Sequence, residues 1–143
     1  MPVILPLDIS DEGLLESVRT WVRLLEEERY EDAFHFTYQH PYYAWTPELM
    51  RDVIYGYGIV EMDPEVEKFK VTSIDEAKER NGSPYADVDF HMPRKHSIEN
   101  TLIVAEIWFS LPLNGEWSDL TASFNVLYMP ECVSLELQEI HVF

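Results

Sequence analysis

The stretch TLIVAEIWFSLPLNGEWSDLTASFNVLY, residues 101–128, decides the fold. Over 101–111, Ile103, Ala105, Ile107, Phe109 and Leu111 fall on one face of an extended chain and Leu102, Val104 and Trp108 on the other. Apolar groups on both faces predict a central strand covered at least in part on both sides. Asn114-Gly115 follows, and both residues tolerate the positive φ of a type I′ turn, so the chain should double back as a hairpin. The returning strand, 120–129, sets Leu120, Ala122, Phe124, Val126 and Tyr128 against Thr121, Ser123 and Asn125. Pro130-Glu131 turns it again.

Outward toward the C-terminus, Val133, Leu135 and Leu137 sit on odd numbers and Ile140 and Val142 on even ones. One extra residue at Gln138-Glu139, a β-bulge, restores a single apolar face and bends the strand. Outward toward the N-terminus, Ala86, Val88, Phe90 and Met92 alternate with Tyr85, Asp87, Asp89 and His91, which predicts another strand. Phe69 and Val71 suggest a further one, with Asn81-Gly82-Ser83-Pro84 as the turn between.

The first third of the chain has a different period. Leu14, Leu15, Val18, Trp21, Val22 and Leu25 predict a helix over 11–28, with Ser10 as N-cap and Asp11 and Glu12 at the positive end of its dipole. The stripe changes phase at Arg29-Tyr30, and a second helix should run to about Gln39, stopped by Pro41. Thr46-Pro47-Glu48 starts a third, carrying Leu49, Met50, Val53, Ile54 and Tyr57 and ended by Gly56 and Gly58. Helices first and a strand meander after predict an α+β fold, with N-terminal helices packed on a curved antiparallel sheet in one domain, 1–143. Trp21, Val22, Leu25, Phe124 and Val126 are its expected core.

Trp21-Val22-Arg23-Leu24-Leu25 followed by Arg29-Tyr30-Glu31-Asp32-Ala33, in this order of elements, resembles the NTF2-like (cystatin-like) superfamily. That resemblance implies a curved sheet wrapped around a long N-terminal helix as a cone. It implies no single activity, because the superfamily hosts enzymes, ligand carriers and interaction modules. Size and charge also make the chain similar to immunity proteins of bacterial toxin systems.

The charge sharpens this. With 27 Asp+Glu against 10 Lys+Arg the formal net charge is −17. Residues 1–65 carry −10 and residues 96–143 carry −7, while the middle is neutral. Such a chain repels nucleic acid and anionic membranes and favours a cationic protein partner. No apolar run approaches the roughly 20 residues of a membrane helix. The start MPVILPLDIS lacks an export signal, and Cys132 has no second cysteine, so cytoplasmic residence is expected.

Glu26, Glu27, Glu28, Glu31 and Asp32 place five carboxylates in seven residues at a helix end, where the dipole disfavours them. A solvated helix end, offset by Arg23 and Arg29, is the simple explanation; a neutralising partner is the functional one. Tyr42, Tyr43 and Trp45 beside them suit an interface anchor. Tyr55 and Tyr57 are the candidates for lining a ligand pocket, if the cone instead holds a small molecule with an Asp or His as general base.

Asp87, Asp89 and His91, with His96 nearby, have a permissive metal-ligand spacing, as have Glu31 and His35. A polar strand face and an i,i+4 surface pair account for both, and no metal or cofactor is expected. Neither His40 nor Cys132 has a readable nucleophile partner, and no phosphate-binding loop, dinucleotide fingerprint, HExxH or G-x-S-x-G occurs. A binding protein is therefore favoured over an enzyme.

Overall fold

A computed structural model describes residues 2–57, 68–80 and 82–142. Its elements run α1 Asp11–Glu26, α2 Tyr30–Phe36, β1 Tyr38–Gln39, α3 Pro47–Tyr55, β2 Ala86–Lys95, β3 Leu102–Leu113, β4 Glu116–Tyr128 and β5 Val133–Val142. The helices pack on a curved five-stranded sheet of order β1-β5-β4-β3-β2, an α+β fold. The sheet is antiparallel except for β1, which pairs parallel with β5.

The helix starts follow their local chemistry. Ser10 Oγ accepts from the Gly13 N–H at 3.1 Å, and Thr46 Oγ1 accepts from the Leu49 N–H at 3.0 Å ahead of Pro47. Trp21, Val22 and Leu25 turn into the core, where the Trp21 and Phe124 rings meet edge to face at 5.0 Å. Val126 is buried beside them.

Asn114 and Gly115 both have positive φ, 50° and 84°, and join β3 to β4. In β5 the pairing steps from Phe124↔Leu137 to Ser123↔Glu139, so Gln138 is the extra residue of a bulge. Its carbonyl accepts from the Trp45 indole N–H at 2.7 Å. The bulge thus bends the strand and also anchors the loop before α3.

Several expectations need correction. The second helix stops at Phe36 rather than near Gln39, because Thr37 is extended and Tyr38 and Gln39 join the sheet against Glu136 and Leu137. The Gln39 amide turns back to donate to the carbonyls of Phe34 and Thr37, satisfying the helix end. Among the described residues around Phe69 and Val71 there is no strand, only a single bridge from Val71 to Leu113. On β2, Phe90 and Met92 are exposed while His91 is half-buried, because β2 is an edge strand whose register breaks between Phe90 and Arg94. The predicted roles of Gly58 and Asn81 lie outside the described residues.

Candidate interaction surface

The first helix closes two residues earlier than expected, in a Schellman motif. The Arg29 N–H bonds Leu24 O and the Glu28 N–H bonds Leu25 O, with Glu28 left-handed at φ 57°. Glycine is the usual residue there, since a side chain in this conformation costs roughly 1–2 kcal/mol. The turn projects Glu26, Glu27 and Glu28 into solvent, and Glu31 and Asp32 follow on the exposed face of α2.

Arg29 bridges Glu27 at 3.1 Å and Asp32 at 2.8 Å, Lys70 reaches Glu28 at 3.2 Å, and His35 stands 4.0 Å from Glu31. Arg23 does not serve this group as expected: it pairs with Glu16 at 3.1 Å. Arg23 first and Arg19 second hold the Glu16 carboxyl below the ordinary glutamate value. Five carboxylates against Arg29, Lys70 and the nearby Lys68 leave the joint negative and open to water.

The structure brings one unexpected aromatic to this joint. The Tyr55 hydroxyl lies 3.3 Å from Glu28 Oε1, and its ring stands edge-on to Tyr30 at 6.4 Å, with Lys68 over its face at 5.4 Å. Tyr30 carries a buried hydroxyl facing that of Tyr55. Burial, then the neighbouring Tyr55, push its pKa well above 10. Tyr57 donates to Asp119 on β4 and packs its ring on Phe69. Burial, then that bond, raise its pKa also.

Tyr42, Tyr43 and Trp45 divide. Tyr42 is 81% exposed, with its ring edge-on to Tyr43 at 5.0 Å. Tyr43 is half-buried, and its hydrogen bond with Glu139 raises its pKa. Trp45 is buried on the Gln138 carbonyl, so it supports the loop from beneath. No hydrogen bond, ion pair or ring contact among the described residues joins Tyr42 or Tyr43 to the acidic joint.

The remaining candidates scatter. Asp87 and Asp89 are exposed, whereas His91 turns inward with Nδ1 2.9 Å from Met92 O. No group of three or more His, Cys, Asp or Glu among the described residues is placed to hold a metal. His40 Nδ1 accepts from the Tyr42 N–H at 3.2 Å. Cys132 lines a mainly apolar groove of about 360 Å³ with Val3, Ile4, Tyr38 and Met129.

His96 does something the sequence did not reveal. Its Nε2 meets Glu136 Oε2 at 2.5 Å, with side chains only 8% and 2% exposed, and Asn125 Nδ2 donates to the other Glu136 oxygen at 2.9 Å. The Ile98 N–H donates to His96 Nδ1 at 3.0 Å, which places the ring proton on Nε2, aimed at the carboxylate. Asn125 and Glu136 are directly paired across β4 and β5, on the face opposite Phe124 and Val126, and the loop after β2 carries His96 over them. Parity alone shows that Asn125 and Ser123 share a face. Nothing local shows that a loop 29 residues away in sequence will close over it.

Among the described residues, surface grooves of about 250, 300 and 360 Å³ are lined by none of His96, Glu136, Tyr55 and Tyr57. Comparison with protein-family models, curated proteins and solved structures yields no match.

Proposed function

We propose that this chain is a non-enzymatic acidic binding protein that blocks a cationic protein partner, most concretely an immunity protein neutralising a bacterial toxin. The observation that carries the proposal is the acidic joint: five solvent-exposed carboxylates within residues 26–32, on a chain of net charge −17, with Arg29 and Lys70 as its cationic neighbours. A field of one sign steers an oppositely charged partner and rejects wrong ones. Tyr42, exposed and edge-stacked on Tyr43, is the aromatic anchor nearest this role.

Packing supports binding at the surface over binding inside. Trp21, Phe124 and Val126 fill the space between α1 and the sheet, where a small-molecule cone would be open. Tyr55 and Tyr57, the pocket candidates, spend their hydroxyls on Glu28 and Asp119. The test is co-purification of the tagged protein with the product of the neighbouring reading frame. A basic protein retained at low salt, released at high salt and inhibited in its own activity is the expected result. A neighbouring product that is acidic, or a basic one that is bound without being inhibited, overturns the proposal.

A further inference from the structure

β2 is the outer strand of the sheet, and among the described residues no strand pairs with the outer edge of its first half. The Ser110 N–H bonds Tyr85 O, and Tyr85 lies in register with Ser110 by extension of Ala86↔Phe109. Hydrogen-bonded pairs alternate along an antiparallel ladder, so Asp87 and Asp89 also bond inward to β3. The N–H and C=O groups of Ala86, Val88 and Phe90 then point outward, and no described strand pairs with them.

Side chains give this edge two faces of different character. Val88 and the 55% exposed Phe90 lie on one, Asp87 and Asp89, both exposed, on the other. The devices that block the backbone itself lie in the second half, where the register breaks at 91–93 and Pro93 lacks an N–H, while the first half carries only the charges of Asp87 and Asp89.

We propose that residues 86–90 receive an extended segment of a partner protein in which apolar and cationic residues alternate. Main-chain bonds to Ala86, Val88 and Phe90 would hold it, its apolar residues covering Val88 and Phe90 and its cations facing Asp87 and Asp89. A second copy of this chain is the wrong occupant. Antiparallel pairing about Val88 sets Asp87 opposite the other copy's Asp89, and pairing one step either way sets Asp87 or Asp89 opposite itself, each a like-charge contact. This inference rests on the proposed function for the partner's charge and adds its backbone conformation.

The probes are three capped peptides, Lys-Val-Lys-Val-Lys, Glu-Val-Glu-Val-Glu and the block-ordered Lys-Lys-Lys-Val-Val, titrated into the full chain while backbone amide resonances are followed. The alternating lysine peptide should shift Ala86, Val88 and Phe90 saturably and bind at least about tenfold tighter than the other two. Asp87→Lys with Asp89→Lys should transfer that preference to the glutamate peptide. Val88→Pro, which removes an outward N–H and leaves the β3 ladder intact, should abolish binding of the alternating lysine peptide. Equal binding of the block peptide, shifts centred on 26–32, no binding at millimolar peptide, or self-association through β2 would each overturn the edge site. Loss of the peptide result while charge reversal at Glu28 and Asp32 still slows a captured partner would leave the proposed function standing.

Discussion

Glu136 and the carboxylates of residues 26–32 are held in opposite ways within one chain. Glu136 is 1% exposed, sealed between Asn125 and His96 on the far face of the sheet from α1. Glu28 and Asp32 stand in water on ion pairs to Lys70 and Arg29 that a solvent molecule can replace. The difference teaches where a negative charge is structural and where it is available. A buried carboxylate stripped of its donors is strongly unfavourable, whereas exposed pairs contribute about 0–1 kcal/mol and can be spared for a partner.

The interior side of the comparison should break hardest at the core. Trp21→Ala or Phe124→Ala is expected to cost about 3–5 kcal/mol, read by chemical denaturation, because each empties a fully buried ring site. A loss under about 1 kcal/mol at both positions would remove this core from the account. Next comes the sealed pair. Glu136→Ala leaves the His96 Nε2–H and the Asn125 amide without their acceptor and should cost about 2–4 kcal/mol. A variant as stable as the wild type would show that the pair is not sealed.

How much of this contrast was legible depends on whether its cause is local. Asn114-Gly115, Ser10, Thr46-Pro47 and the extra residue at Gln138 announce themselves, since turn, cap and bulge chemistry acts within a few residues. Gln39 was misread as helical because its competing partner, Leu137, lies 98 positions away in sequence. The exposure of Phe90 and Met92 was invisible because alternation defines a strand's two faces and does not say which strand is the edge. His96 over Glu136 was missed for the same reason: a loop closing across three strands leaves no periodic trace. Of the candidate surface, the acidic run was plain as composition, but its contact with Tyr55 was set by tertiary packing.

Tyr30 sharpens the comparison at smaller amplitude, as a buried hydroxyl next to the exposed acids. With its pKa raised in the folded state, the native chain keeps that proton above pH 10 while the unfolded chain loses it. Stability should therefore fall as pH rises past 10. Tyr30→Phe should flatten the alkaline part of the stability profile. An unchanged profile in the variant would assign the alkaline loss to other groups, Tyr57 first.

The exposed side should scarcely register in stability. Glu28→Lys and Asp32→Lys are each expected to stay within about 0.5 kcal/mol of wild type in thermal melts. A loss of 2 kcal/mol or more would make these carboxylates structural, like Glu136, and erase the contrast.

The contrast comes down to a rate. The association rate of the purified chain with its captured cationic partner, measured from about 0.01 M to 0.15 M salt, spans a change in screening length from about 30 Å to about 8 Å. Wild type should associate fastest at low salt and slow steeply along the series, and the Glu28→Lys, Asp32→Lys double variant should be slower with a shallower slope. Equal rates and equal slopes for the two proteins would contradict the claim that residues 26–32 face the partner.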